Sequence, residues 1–186
     1  PIGDKISYAE AATTEPLATS LHAANLANAQ DNEIHLVVGA GIIGLGILQC
    51  IKASSNAQVI VADLSEKRLA KAAELGADRL IDVRSTPLVE ALDGGSNFSE
   101  ETLLDANIGT IDTVYDCAGM SKHFQGSSVL EQALAVVKEN GKIVVVAVYE
   151  QSPNLDYNQI VRKGIQLMGS WAWSMEEFKI AADLIR

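Results

Sequence analysis

A glycine-rich segment, Gly39-Ala40-Gly41-Ile42-Ile43-Gly44, has residue types and spacing suited to binding a diphosphate. It follows an apolar run, Ile34 to Val38, and opens into a second apolar segment, which predicts a strand, a turn and a helix. In such a unit Gly39 permits the tight turn, Gly41 lets backbone N–H groups approach a phosphate, and Gly44 allows close helix–strand packing. The helix N-terminus adds free N–H groups and a partial positive charge. A plain strand-to-helix turn is the alternative.

An acidic residue stands where a ligand for a ribose is expected. Asp63 ends the next apolar run about 20 residues after Gly44, and the unit that begins at Ile34 spans about 30 residues, as this fingerprint requires. The Asp63 carboxylate accepts hydrogen bonds from ribose hydroxyls and repels a 2′-phosphate, which predicts NAD rather than NADP. Arg68 is expected to reach the same ribose and to soften that discrimination. The alternative role for Asp63 is that of a helix N-cap.

Short apolar runs alternate with segments of helical periodicity, a pattern typical of βα units and a parallel sheet. The fold class predicted is α/β, a doubly wound Rossmann sheet of six parallel strands in the order 3-2-1-4-5-6, with helices on both faces. The sixth strand is expected to run on toward Trp173. The predicted strands are Ile34–Val38, Gln58–Ala62, Arg79–Ile81, Thr113–Cys117, Lys142–Val148 and Ile165–Met168.

Helices are expected between these strands, and Pro16 suits the first position of the earliest one. Residues 84–111 are interpreted as a surface excursion with a possible short helix at 99–106. Three domains follow: a helical lead-in over 1–30, a cofactor-binding domain over 31–173, and the start of a truncated C-terminal helix over 174–186. The predicted helices are 16–28, Ile42–Ala53, Ser65–Leu75, Val129–Val137, closed by Asn140-Gly141, and 175–186.

Composition excludes several classes of protein. A chain of 186 residues with 48% hydrophobic and 20% charged residues suits one folded domain. With 24 acidic against 14 basic residues, a net charge of −10 and no basic cluster, neither a nucleic acid nor an anionic membrane is an expected partner. No apolar stretch reaches the length of a membrane span. Cys50 and Cys117 are interpreted as buried thiols in a reducing compartment, which predicts a cytoplasmic location.

Two further segments are expected at the carboxyl edge of the sheet, where ligands of such folds bind. Cys117-Ala118-Gly119 follows the fourth predicted strand, and Val146-Ala147-Val148 ends the fifth. Their small residues leave room for a flat ring, although tight packing explains them equally well.

The sequence resembles the nucleotide-binding domain of the medium-chain dehydrogenases, and within them the zinc-dependent alcohol, sorbitol and threonine dehydrogenase type. The resemblance covers nearly the whole chain. Beside the glycine-rich segment it is carried by these pieces: Glu15-Pro16-Leu17, Leu21-His22-Ala23, Ala62-Asp63-Leu64, Arg68-Leu69, Glu74-Leu75-Gly76-Ala77-Asp78, Asp116-Cys117-Ala118-Gly119, Gly141-Lys142-Ile143-Val144 and Met168-Gly169-Ser170.

The resemblance implies roles for further residues. Ile43 is expected to lie behind the nicotinamide and press it toward the substrate. Backbone atoms around three sites, Val146, Val148 and Ser170 to Ala172, are expected to hold the carboxamide. Glu15 matches a glutamate beside the catalytic zinc, an occasional ligand or a polariser of bound water, whereas the residue alone suggests a helix-cap carboxylate. The cofactor-binding residues then comprise Gly39, Gly41, Ile42, Ile43, Gly44, Asp63, Leu64, Arg68, Cys117, Ala118, Val146, Val148, Ser170 and Trp171.

The family's zinc-binding cysteine and its His-Glu pair belong to a preceding catalytic domain, which these 186 residues do not include. His22, His35 and His123 are far apart, and each is expected to be structural or exposed. Glu15 alone is one ligand where zinc needs about four. We therefore expect an isolated NAD-binding domain. Zinc and a small alcohol or polyol substrate belong to the larger enzyme, and hydride transfer needs that metal as a Lewis acid.

The sequence also predicts how the chain assembles and leaves two alternative functions open. By the resemblance, the sixth strand is the sheet edge through which family dimers pair, which predicts a homodimer. Trp171 and Trp173, on one face by alternation, belong to that edge or simply to a packed surface. The other functions are a zinc-free quinone or enoyl reductase domain, disfavoured by Glu15-Pro16-Leu17 and Asp63, and a regulatory module that senses NAD without chemistry.

Overall fold

The structure, a computed structural model, describes residues 6–92, 109–120 and 126–185. Its parallel strands form one sheet in the order β3-β2-β1-β4-β5-β6, with helices around it. This confirms the predicted Rossmann fold and strand order. The strands are β1 (Ile34–Val38), β2 (Gln58–Asp63), β3 (Arg79–Asp82), β4 (Ile111–Asp116), β5 (Val137–Val145) and β6 (Gln166–Gly169).

The helices include three that the sequence analysis did not predict, α1, α5 and α7. Each has seven residues or fewer, too short for a helical period to be recognised. The possible helix at 99–106 lies outside the described residues. The helices are α1 (Tyr8–Ala12), α2 (Thr14–Ala27), α3 (Ile42–Ser54), α4 (Glu66–Glu74), α5 (Leu88–Leu92), α6 (Val129–Val136), α7 (Tyr157–Lys163) and α8 (Met175–Ile185).

Pro16 is the third residue of α2 rather than the first. The first N–H groups of a helix have no partner within it, so a proline costs little there as well. Among the helices of the described residues, none is both long enough and apolar enough to cross a bilayer.

The bounds of β5 differ most from those predicted. The strand begins at Val137, directly after α6, and ends at Val145, whereas Lys142 to Val148 was expected. Its pairing with β4 shifts register between Ile111 and Thr113. Asn140, with a left-handed φ of 57°, lies in this irregular stretch rather than behind a helix. An irregularity set by pairing with a distant strand leaves no local signal in the sequence.

The prediction that the sixth strand continues to Trp173 is wrong. β6 ends at Gly169, and Ala172 has a left-handed φ of 60°, which turns the chain. Trp171 and Trp173 therefore do not alternate along a strand. Trp171 is exposed, whereas the ring of Trp173 packs on Phe178 at a centroid distance of 4.5 Å.

Hydrophobic cores lie on both faces of the sheet. Successive residues of β1 point to opposite faces, so Leu36 and Val37 are both fully buried but belong to different cores. The Val37 core includes α3 and α2. These helices cross where the Ser20 hydroxyl donates to the carbonyls of Pro16 (2.7 Å) and Ile43 (3.0 Å). That crossing fixes the start of α3, the helix that follows the glycine-rich segment.

Candidate functional site

The turn after β1 requires glycine at its first position. Gly39 has a φ of 102°, a conformation that side chains rarely adopt. A Cβ there would also lie 2.9 Å from the carbonyl carbon of Cys117. The Gly39 N–H donates to the Ala62 carbonyl of β2 at 2.8 Å, which ties the turn to the neighbouring strand.

The first turn of α3 presents backbone donors that have no intrahelical partner. Gly41 is its N-cap, in an extended conformation and without a side-chain cap hydrogen bond. The N–H groups of Ile42, Ile43 and Gly44 therefore have no partner within the helix. A Cβ on Gly44 would overlap the Gly39 carbonyl oxygen, whereas a Cβ on Gly41 would meet no atom within 4 Å. Gly44 serves packing, and Gly41 leaves open space beside the donors.

Asp63 has a second role, which the sequence did not reveal. The carboxylate is only 6% exposed, and its Oδ2 accepts the Ala40 N–H at 2.6 Å. Its Oδ1 accepts the N–H of Ser65, the N-cap of α4, at 2.7 Å, so Asp63 itself is not the N-cap. Nη1 of Arg68 lies 3.8 Å from Oδ2. Asp63 thus supports the glycine turn, and the Ala40 amide is not free for an anion.

A cavity of about 1070 Å³ opens beside this turn. Its far wall comes from the segment that leads into α5 and from the start of α6, with Pro87, Leu88, Val89 and Val129 as apolar contributors. None of these residues was predicted to line a site. The helix α5 is short, and α6 follows a stretch without a clear hydrophobic period. The predicted cofactor-binding residues that line the cavity are Gly39, Gly41, Asp63, Leu64, Arg68, Cys117 and Ala118.

The predicted residues Ile42, Ile43, Gly44, Val146, Val148, Ser170 and Trp171 lie outside that lining. The backbone brings two of them together beyond the sheet edge, because the Ser170 N–H donates to the Val145 carbonyl at 2.8 Å and Val146 follows directly. Ile43 is half-buried against the α3 core. The side chains of Val148 and Trp171 are exposed to solvent, at 71% and 79%.

A buried carboxylate lies at the end of β4, next to the predicted ring site. Asp116 is fully buried, and its Oδ1 accepts the N–H groups of Ala118 (3.2 Å) and Gly119 (3.0 Å). The Tyr149 hydroxyl donates to its Oδ2. Burial raises the pKa of Asp116, and these three hydrogen bonds act in the opposite direction. Sequence reasoning did not single out either side chain, because the pair is formed between distant strand ends.

The residues considered for zinc do not come together. Glu15 is exposed in the first turn of α2, where its Oε1 accepts hydrogen bonds from Thr19 Oγ1 (3.1 Å) and Trp173 Nε1 (3.3 Å). His22 pairs with Glu177 at 3.0 Å, and His123 lies outside the described residues. No three His, Cys, Asp or Glu residues in the described ranges are grouped so as to hold a metal. The residues present therefore do not fit a zinc ion.

His35 and Cys50 are buried, as expected of structural residues, whereas Cys117 is only half-buried and lines the cavity. His35 is fully buried, and burial lowers its pKa. Cys50 and Cys117 are free, the former buried and the latter half-buried. Burial raises the pKa of Cys50 to about 11 and that of Cys117 further, so both thiols stay protonated and unreactive at neutral pH.

Residues 43–186 match the family described as zinc-binding dehydrogenase. Sorbitol dehydrogenase of Arabidopsis thaliana is 35% identical over 143 residues, which make up 77% of this chain and 36% of that enzyme. The chain thus spans only about a third of this curated relative's length.

Solved structures share the whole fold. A short chain alcohol dehydrogenase of Escherichia coli complexed with NADH matches 99% of this chain and 49% of its own, with a TM-score of 0.77 and 26% identity. A zinc-binding dehydrogenase of Sinorhizobium meliloti bound to NADP matches 99% of this chain and 50% of its own, with a TM-score of 0.79 and 23% identity, which establishes the fold alone.

Proposed function

The chain belongs to the zinc-binding dehydrogenase family, and from this we propose that it is the NAD(H)-binding domain of a zinc-dependent alcohol or polyol dehydrogenase. The observation that carries the proposal is the set of N–H groups without intrahelical partners at the start of α3, beside Asp63 and a cavity of about 1070 Å³. Relatives are named dehydrogenases, and one matching structure holds NADH.

The adenosine half of the cofactor would occupy the part of the cavity lined by Gly41, Asp63 and Arg68. The N–H groups of Ile42, Ile43 and Gly44 bind the diphosphate, with the positive end of the α3 dipole behind them. Asp63 accepts hydrogen bonds from the ribose through the lone pairs that Ala40 and Ser65 leave free. A 2′-phosphate would meet that nearly buried carboxylate, which favours NAD over NADP. Arg68 moderates the preference, since its guanidinium lies 3.8 Å from the carboxylate.

The nicotinamide half lies beyond the carboxyl ends of β4, β5 and β6. The ring, when bound, donates or accepts the hydride. Ile43 would support the ring from behind. The segments that contain Cys117, Ala118, Val146 and Val148 would flank it, and the backbone from Ser170 to Ala172 would hold the carboxamide. Their placement at one edge of the sheet supports this assignment, which comes from family membership.

For the whole enzyme we propose a bound zinc ion, an alcohol or polyol substrate and a second copy of the chain as partner. In the whole enzyme, Glu15 would lie beside a zinc ion held by residues outside this chain. The substrate is a small alcohol or polyol, as the names of the relatives suggest. A second copy of the chain pairs along β6. This strand forms one edge of the described sheet, and its Leu167 side chain is partly exposed. The two free thiols favour the cytoplasm as its location.

Titration of the 186-residue chain with NADH and with NADPH tests the proposed function. We expect tighter binding of NADH, because Asp63 accepts ribose hydroxyls and repels a 2′-phosphate. Cofactor fluorescence gives both dissociation constants. Equal affinities would contradict the role of Asp63, and the failure of both cofactors to bind would contradict the function itself.

Turnover by the same chain is a separate prediction. With NAD, zinc and a small alcohol or polyol, we expect no formation of NADH, because the described residues offer no metal site and an alkoxide needs a Lewis acid. Absorbance of NADH at saturating NAD measures it, with a complete homologous dehydrogenase as the positive control. Metal-dependent turnover would show that these residues assemble a zinc site.

A further inference from the structure

The last residue of β4 connects two loops at the sheet edge through its backbone. Asp116 pairs with Val38 of β1 on one side and with Val145 of β5 on the other. Its carbonyl oxygen accepts both the Val146 and the Ala147 N–H, each at 3.0 Å. The chain beyond β5 is therefore held to the end of β4.

The Asp116 side chain connects the same loops a second time. Its Oδ1 accepts the amides of Ala118 and Gly119, and its Oδ2 accepts the Tyr149 hydroxyl. The Tyr149 oxygen in turn accepts the Leu130 N–H in the first turn of α6, at 3.1 Å. Burial and the adjacent carboxylate raise the pKa of Tyr149, so its hydroxyl retains the proton that it donates.

These loops also contact each other directly. Met120 and Tyr149 form a parallel β-bridge, and the Glu150 N–H donates to the Met120 carbonyl at 3.1 Å. A Cβ on Gly119, whose φ is 65°, would lie 2.8 Å from the Val148 carbonyl oxygen. The loop after β4 is thus in close contact with the loop after β5.

We propose that Asp116 is a positioning residue for the nicotinamide half of the cofactor and that Tyr149 is its partner. A carboxylate without solvent contact is costly unless donors surround it, and a fully paired buried network favours one unique arrangement. Here the donors to Asp116 are two amides of the loop after β4 and the Tyr149 hydroxyl. Tyr149 is itself held to α6 by the Leu130 N–H. The carboxylate therefore fixes the spacing of the segments that flank the ring. The inference rests on the proposed function.

The variant Tyr149→Phe keeps the ring and removes the oxygen that hydrogen-bonds Asp116 and the Leu130 N–H, so the packing is preserved and only these two hydrogen bonds are lost. We expect its affinity for NADH to fall about tenfold, because loops that the hydrogen bond no longer holds must be ordered when the cofactor binds. Affinity for ADP-ribose, which lacks the nicotinamide, should change by less than about twofold, because the glycine turn and Asp63 hold that half. Calorimetry measures both ligands. Tyr157→Phe is the matched control, since Tyr157 is 70% exposed on α7.

A second variant, Asp116→Asn, keeps an oxygen for the Ala118 and Gly119 amides but presents an NH₂ group to Tyr149. We expect the same selective loss of NADH affinity. Equal losses for both ligands, or unchanged NADH affinity in both variants, would overturn the inference. A wild-type chain that binds neither ligand instead overturns the proposed function, so the two failures are distinguishable.

Discussion

The variant Gly41→Ala is expected to fold normally and to lose cofactor binding. Its Cβ meets no protein atom within 4 Å, and the extended backbone of Gly41 suits alanine. That open space is where the diphosphate must approach the N–H groups of Ile42 to Gly44. Overpacking of this kind costs about 1–3 kcal/mol, so the affinity for ADP should fall roughly ten- to hundredfold.

Calorimetry with ADP and urea denaturation together test this prediction. Gly169→Ala is the matched control, because a Cβ at the end of β6 also meets no atom within 4 Å and ADP lacks the nicotinamide half. Gly44→Ala provides the contrast. There the Cβ would overlap the Gly39 carbonyl, so stability should be lost as well. Unchanged ADP affinity in a folded Gly41→Ala chain would exclude the diphosphate from this turn.

The variant Asp63→Ala is expected to lose most of the preference for NADH over NADPH. The change removes hydrogen bonds from a carboxylate to the ribose, each contributing about 1.5–3 kcal/mol, so NADH affinity should fall by about a hundredfold. It also removes the negative charge that repels a 2′-phosphate, and NADPH affinity should fall much less. Fluorescence titration with both cofactors measures the ratio.

Asp63→Ala also removes the hydrogen bond that the Ala40 amide donates, and Asp78→Ala is the matched structural control. Asp78 also accepts a backbone amide, that of Val59 at 2.6 Å, and pairs with Lys52, but it lies at the amino end of β3, away from the cavity. Asp78→Ala should lower stability and leave the cofactor preference unchanged. A preference altered equally by both variants would refute a direct ribose contact for Asp63.

Local patterns were sufficient to predict the part of the fold that builds the glycine turn. The strand Ile34–Val38 and the start of α3 at Ile42 have the predicted positions. A continuous apolar run followed by a glycine turn and a buried helix is specified by neighbouring residues alone. The position of Asp63 at the end of β2 was predicted for the same reason, from the length of the strand and the spacing after the glycine turn.

Contacts between distant residues could not be predicted in this way. The hydrogen bonds from Ala40 to Asp63 and from Tyr149 to Asp116 join residues 23 and 33 positions apart, so no local period records them. The bulged start of β5 depends on pairing with β4. The wall of the cavity at α5 comes from a helix of five residues, which is too short to show a period.

The most direct test of the account follows the backbone amide signals of the ¹⁵N-labelled chain during titration with ADP. If the start of α3 binds the diphosphate, the amide resonances of Ile42, Ile43 and Gly44 will show the largest shifts. The Ala40 amide, already held by Asp63, will move less. Saturable binding that leaves the three α3 amides unshifted would contradict the account.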